Sequence, residues 1–317
     1  MLDASTNNEN KTENENENEN KFVIKIKDSV ANQEPSFFEN GQYINFIRNV
    51  TPESGGDIIV NEGDAVIYTD LFVENIDVKS KYNIALLVES QAVNRWCYDY
   101  IANNNKKFDI VLTFDRTLLD RGENFIFNVF GTCWLHDSYI KIWDKSKLCS
   151  TVTSSKVFTS GHFFRREVTE YIKNNKSEID IYGSNYLHLP YVTTRPFDKD
   201  HGWRHISNGK INALRDYMFS ITIENNKEDY YFSEKLIDCF LTGTIPIYYG
   251  CPSISNFFNI KGIIVFDTLI DLINILPTIN TELYESMVPY IQENYNIAQN
   301  YKTFKINEHA LIDLMNN

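Results

Sequence analysis

A strand, helix and strand pattern in residues 219–250 limits the folds open to this chain more than any other feature. The run 219–223 alternates and is rich in β-branched residues, which predicts a strand, and the run 244–249 predicts a second one. Between them Leu236 and Phe240 lie on one stripe at helical spacing, which predicts a short helix buried on one side. Two strands joined by a helix form a βαβ crossover, whose strands are normally parallel. The pattern therefore predicts an α/β fold.

Both ends of this helix carry capping residues. Ser233 can accept a hydrogen bond from the free amides of the first turn, and Glu234 places a carboxylate at the positive helix end. Gly243 stands where a left-handed C-terminal cap is needed. In open α/β sheets, ligands bind outside the carboxyl ends of the strands, where helix N-termini also point. The loop before the helix is therefore the expected ligand-binding edge.

The polar residues of this edge suit a nucleotide. Glu234 offers a carboxylate for ribose hydroxyls, and Lys235 offers an ammonium for phosphate beside the free helix amides. Tyr231 and Asn225 offer an aromatic ring and an amide for a base or a sugar. From these residues alone, an equally good interpretation is that Glu234 and Lys235 are simply the first residues of a solvated helix and bind no ligand.

The same segment resembles the donor-binding motif of the α-1,3-fucosyltransferases, glycosyltransferase family ten. That motif runs FEN, a short loop, Y-x-[ST]-E-K, a helix and a [VI]-P-[VI]-x-x-G strand. The chain reads IEN at 223–225, YFSEK at 231–235 and IPIYYG at 245–250, with Ile223 in place of the usual Phe. The resemblance extends in ordered pieces over residues 81–275.

The resemblance implies a GT-B architecture, in which two Rossmann-like domains with parallel sheets face a cleft. It implies an inverting, metal-independent transfer of fucose from GDP-fucose to a hydroxyl of a glycan acceptor. Lys235 and one arginine of the helix beginning GHFFRR would hold the diphosphate, where a fixed cation stabilises the leaving nucleotide. Glu234 would hold the ribose. The residues expected at the donor are Arg165, Arg166, Asn225, Tyr231, Ser233, Glu234 and Lys235.

A second βαβ unit precedes the first in the chain. The apolar run 81–88 predicts a buried parallel strand, 93–105 a helix and 108–114 the next strand. Glu89 ends the first of these strands, and alone it would more often be a helix cap or an ion-pair partner. The tripeptide ESQ followed by FDIVLTFDR resembles a Glu-Ser-Pro-like segment of the family, with Gln91 in place of Pro. This resemblance implies that Glu89 is the general base that takes the proton of the acceptor hydroxyl.

The predicted organisation has four parts. Residues 1–20 have little to bury and predict a disordered tail. Residues 21–155 form the acceptor-side domain, including a weakly predicted helix at 37–48. Residues 156–290 form the nucleotide-sugar domain, and 291–317 form a C-terminal helix that can cross back to the first domain.

Composition argues against several classes of partner and binding site. A net charge of -13 argues against a nucleic-acid partner, because phosphate backbones demand a basic surface. Five cysteines without CxxC spacing predict neither a disulfide framework nor a zinc site. The absence of a long apolar run and the polar N-terminus predict no membrane segment and a cytoplasmic protein.

Three other interpretations remain open. Asp198 and Asp200 form a DxD pattern, and His201 and His205 have the spacing of helical metal ligands, but no apolar strand precedes this polar loop. We therefore predict no metal site and no cofactor beyond the nucleotide sugar. The same fold could use another donor, such as a UDP-sugar, or could serve a catalytically silent carbohydrate-binding protein.

Overall fold

The computed structural model describes the chain in several stretches. It covers residues 65–70, 73–74, 76, 80–122, 124–129, 131, 133–135, 137–175, 178–184 and 209–302, and the backbone of strands at 22–27, 36–39 and 42–43. The N-terminal tail, the DxD loop and His136 lie outside the described residues.

The first sheet has seven strands in the order β3-β2-β1-β4-β5-β6-β7. The strands are β1 (Phe22–Lys27), β2 (Ser36–Glu39), β3 (Gln42–Tyr43), β4 (Ala65–Thr69), β5 (Tyr82–Leu86), β6 (Ile110–Thr113) and β7 (Phe125–Phe127). All neighbours are parallel except at the β3-β2-β1 edge, which is antiparallel. Helix α1 (Arg95–Asn104) connects β5 to β6, and the short α2 (Arg116–Leu119) follows β6.

The second sheet has five parallel strands in the order β12-β11-β10-β8-β9. Its strands are β8 (Lys147–Ser154), β9 (Ile179–Ser184), β10 (Tyr217–Ile223), β11 (Ile245–Tyr249) and β12 (Ile264–Val265). Its helices are α3 (Ser160–Asn174), α4 (Gly209–Asn212), α5 (Glu234–Thr242), α6 (Leu269–Ile275) and α7 (Thr281–Ala298). The predicted fold class is therefore confirmed as α/β with two mainly parallel sheets.

The βαβ unit at residues 219–250 folds as its pattern predicts. β10 pairs with β11 in parallel, and Ile221 lies beside Ile247. The Ser233 side chain caps α5 by accepting from the Lys235 amide, and Gly243 ends the helix with a left-handed φ of 73°. Only a residue without a Cβ adopts that φ at little cost.

One predicted helix and one predicted boundary differ from the described structure, and the C-terminal helix is described only in part. The helix expected at 37–48 is wrong where the structure describes it, because β2 and β3 form an antiparallel pair there. β8 pairs with β9 and β10, so the second sheet begins at Lys147, before the boundary expected at residue 155. Among the described residues the last α-helix, α7, ends at Ala298, and residues 303–317 of the predicted C-terminal helix lie outside them.

The end of α7 packs against the segment that joins the two sheets. The Tyr295 hydroxyl donates to the Ile140 carbonyl at 3.4 Å. Just beyond the helix, the Tyr301 ring lies 5.3 Å from the ring of Phe232, in the loop before α5. The C-terminal part of the described chain therefore packs against the segment that joins the two sheets, here called the linker, and against the loop before α5.

A buried ion pair anchors α5 from inside the protein. Lys210 Nζ lies 2.5 Å from Asp238 Oδ2 and donates to the Glu234 carbonyl at 3.1 Å. The other carboxylate oxygen of Asp238 accepts from the Trp134 amide at 3.1 Å. Burial raises the pKa of Asp238, and the ammonium of Lys210 opposes that shift. The pair thus fixes the first turn of α5 to α4 and to the linker.

Removing one partner of this pair should destabilise the fold. Lys210→Met leaves a buried carboxylate without its cation, and we expect the free energy of unfolding in urea to fall by about 3 kcal/mol. Adding Asp238→Asn removes the unpaired charge, keeps an acceptor for Trp134, and should restore more than half of that loss. A Lys210→Met variant as stable as the wild type would contradict this role.

Candidate active site

Two helices begin at the carboxyl end of β10. The α5 cap is Ser233, and Thr159 caps α3 by accepting from the His162 amide. The Gly161 amide donates to the Asn225 carbonyl at 3.1 Å, and a Cβ on Gly161 would lie 2.0 Å from the Glu224 carbonyl oxygen. Only glycine permits this approach. The positive ends of two helices therefore meet at one stretch of backbone, which favours an anion there.

Glu224 organises the loop between β10 and α5. Its fully buried carboxylate accepts from the Ser233 amide at 2.9 Å and from the Ser233 hydroxyl at 2.7 Å. Lys235 Nζ lies 3.5 Å from the same carboxylate. Burial raises the pKa of Glu224, and the Lys235 ammonium opposes the shift. Glu224 thereby fixes both the cap of α5 and the position of the lysine.

Lys235 is the partly exposed cation of this cluster. Its Nζ donates to the Ser233 hydroxyl at 3.0 Å and to Glu234 Oε1 at 3.2 Å, and 22% of its side chain is exposed. Burial alone would raise the pKa of Glu234, but Lys235 and Lys210 outweigh burial and lower it to about 2. Glu234 is therefore ionised at neutral pH.

The structure distinguishes the two arginines of α3. Arg165 is 6% exposed, and its Nη2 donates to the Ile223 carbonyl at 2.5 Å and to Asn225 Oδ1 at 3.3 Å. Arg166 lies on the outer face of α3, where its Nε pairs with Glu170 at 2.9 Å and 54% of its side chain is exposed. Only Arg165 therefore joins the other expected donor residues.

Substitution of the two arginines should give opposite results. Arg165→Ala removes a guanidinium held against the end of β10, and we expect nucleoside diphosphate affinity to fall on the order of 10- to 100-fold. Arg166→Ala removes an exposed side chain whose ion pair with Glu170 is solvated, and it should change affinity less than about twofold. Titration calorimetry with GDP on both variants measures the difference. Equal losses, or a larger loss for Arg166→Ala, would contradict the assignment.

Glu89 reaches this cluster from the first sheet. It lies three residues beyond β5, and its Oε2 accepts from the Tyr231 hydroxyl at 3.2 Å. The Tyr231 ring packs 5.6 Å from the ring of Phe114, just beyond β6. Burial and the charge of Glu89 raise the pKa of Tyr231, so its hydroxyl remains a donor at neutral pH. The carboxyl ends of both sheets thus meet around Tyr231.

Most of the residues expected at the donor lie close together in the structure. The structure joins Arg165, Asn225, Ser233, Glu234 and Lys235 in one cluster and connects Glu89 to it through Tyr231. Sequence reasoning left out Glu224, although the IEN match contained a signal for it. It also left out Lys210, whose partner Asp238 is far away in the sequence.

Within the described residues, no three side chains of His, Cys, Asp or Glu are grouped in a way that could hold a metal ion. In the same part of the chain, no helix has both the length and the apolar character needed to cross a bilayer.

Comparison with known proteins gives short local matches. The chain is 39% identical over 75 residues to the alpha-(1,3)-fucosyltransferase FucT of Helicobacter pylori. It is 33% identical over 93 residues to the GDP-fucose protein O-fucosyltransferase 3 of Bos taurus. The resemblance to fucosyltransferases is confirmed. The matches cover 22% and 29% of this chain and only 16% and 17% of the two fucosyltransferases.

The fold comparison is broader and more distant. A crystal structure of alpha1,3-fucosyltransferase with GDP-fucose is 16% identical, covering 76% of this chain and 78% of that fucosyltransferase with a TM-score of 0.47. No family model matches the chain.

Proposed function

We propose that this protein is an inverting glycosyltransferase that moves fucose from GDP-fucose to a hydroxyl of a glycan acceptor. The observation that carries the proposal is the contact between Glu89 and Tyr231. It brings a carboxylate at the carboxyl end of one parallel sheet to the edge of a cationic cluster at the carboxyl end of another. A base beside an anion site is what transfer from a sugar nucleotide requires.

The diphosphate would lie between the N-termini of α3 and α5. Lys235 and Arg165 would contact its oxygens, close to the positive ends of the two helices. Glu224 lies 3.5 Å from the Lys235 ammonium, and the Asn225 side chain accepts from Arg165 at 3.3 Å, so both cations are held in place. A preformed cationic site costs no reorganisation when negative charge develops on the leaving group. Glu234 would accept hydrogen bonds from the ribose.

The transfer step follows from this placement. Glu89 accepts the proton of the acceptor hydroxyl while that oxygen forms a bond to the anomeric carbon of fucose. The bond from that carbon to the β-phosphate oxygen breaks, and its electron pair leaves with GDP. The acceptor attacks from the side opposite the diphosphate, so the anomeric configuration inverts. The Tyr231 hydroxyl orients the Glu89 carboxylate during this step.

The test is turnover with a defined donor. Incubating the protein with GDP-fucose and a panel of glycans should release GDP and give a product whose new linkage has the inverted anomeric configuration by NMR. A parallel reaction with UDP-sugars is the control for the donor. Turnover with a UDP-sugar but not with GDP-fucose would show that the proposed donor is wrong. A product with retained configuration would overturn the role of Glu89.

A further inference from the structure

Asp70 occupies an unusual backbone conformation directly behind Glu89. It follows β4 and has a φ of 38°, which lies in the left-handed region that residues other than glycine adopt infrequently. β4 pairs in parallel with β5, so Asp70 lies beside the chain that leads to Glu89. Strain of this kind persists where surrounding contacts enforce it, and it concentrates at functional sites.

The carboxylate of Asp70 binds the backbone of Glu89 and its neighbour. Its Oδ1 accepts from the Val88 amide at 2.9 Å, and both oxygens lie 3.4 Å from the Glu89 amide. The preceding Leu87 amide still bonds to β6, through the Leu112 carbonyl at 3.0 Å. The two amides beyond the sheet are thus held by a side chain in place of a neighbouring strand.

Tyr98 holds the other side of the same peptide. Its hydroxyl, on α1, donates to the Glu89 carbonyl at 2.7 Å. Tyr98 is buried. Burial is the larger cause that raises its pKa, and nearby carboxylates add to it, so the hydroxyl keeps its proton at neutral pH. Together the two side chains bind the amide and the carbonyl of Glu89, while its carboxylate remains available to Tyr231.

We propose that Asp70, supported by Tyr98, is a positioning residue that clamps the backbone of Glu89 and so sets the direction of its carboxylate. This inference rests on the proposed function, in which Glu89 is the base. In this role Asp70 acts through the backbone of Glu89. A displacement of about 1 Å in a catalytic group can lower turnover 100-fold, which is the effect that the clamp prevents.

Three variants separate positioning from a structural role. Asp70→Gly removes the acceptor and relieves the backbone strain, so stability should change little while kcat falls about 10- to 100-fold. GDP affinity should stay as in the wild type. Asp70→Asn keeps one acceptor oxygen and tolerates a positive φ, so it should recover most of that turnover. Tyr98→Phe removes only the second contact and should lower kcat severalfold with the donor KM unchanged.

Hydrogen exchange adds a measurement that does not depend on catalysis. In Asp70→Gly, peptides spanning residues 84–92 should exchange faster than in the wild type, because the Val88 and Glu89 amides lose their acceptor. Asp70→Gly with wild-type kcat or wild-type exchange overturns the inference, and so does a parallel loss of GDP affinity. A wild-type protein without turnover overturns the proposed function and this role with it, whereas failure of the clamp alone is seen only in the variants.

Discussion

Replacing Glu89 by Gln should lower turnover of GDP-fucose on the order of 100- to 10,000-fold, the range over which a positioned general base acts. The amide has nearly the shape of the carboxylate and can still accept from the Tyr231 hydroxyl. It cannot take the proton of the acceptor. GDP affinity should therefore remain as in the wild type, because Glu89 follows a strand of the first sheet, whereas the donor cluster lies at the helix starts beside the second.

Glu170→Gln is the matched control for this substitution. Glu170 is an exposed carboxylate on the outer face of α3, and its ion pair with Arg166 is solvated. Its removal should leave turnover within about twofold of the wild type. If Glu89→Gln kept more than a tenth of wild-type turnover, the base would have to be another group, or the protein would be a carbohydrate binder on a transferase fold.

Replacing Lys235 by Ala should abolish donor binding and with it transfer, by a factor on the order of 1,000. The ammonium is the partly exposed cation at the start of α5, and its loss also leaves the buried Glu224 and Glu234 without a cation in direct contact. Two buried carboxylates then repel the diphosphate that the lysine attracts. The loss should be seen in GDP titration as well as in turnover.

Lys261→Ala provides the control for this change. Lys261 is exposed and lies away from the candidate site, over the ring of Tyr290 at 5.4 Å. GDP affinity of that variant should match the wild type. A folded Lys235→Ala protein that still binds GDP would contradict the placement of the diphosphate at the start of α5. Circular dichroism on both variants establishes that they are folded.

The sequence predicts local structure well where the pattern is local. The unit from β10 to β11 could be predicted because Ser233, Gly243 and the apolar stripe of α5 act within a few residues of one another. The segment 37–48 has no such pattern. Its described strands are defined by the pairing of β2 with β1 and of β3 with β2, which sequence periodicity does not report. The same limit applies to β8, whose membership of the second sheet depends on partners up to 70 residues away.

The candidate site divides in the same way. The family motif predicted Lys235 and Glu234, but it left Arg165 and Arg166 equivalent, because only the rotation of α3 against β10 decides which one faces inward. Asp70 could not be predicted, because its function depends on a positive φ and on the register of β4 against β5. Contacts between distant segments therefore complete a site whose central residues are visible in the sequence.

The most direct test of the account is the melting temperature of the wild-type protein with GDP, UDP, CDP or ADP. GDP at about a hundred times its dissociation constant should stabilise the native state by roughly 2.7 kcal/mol and raise the melting temperature clearly. Glu89→Gln should show the same shift, and Lys235→Ala should show none. Stabilisation by UDP in place of GDP would overturn the proposed donor, and no response to any nucleotide would contradict a sugar-nucleotide transferase.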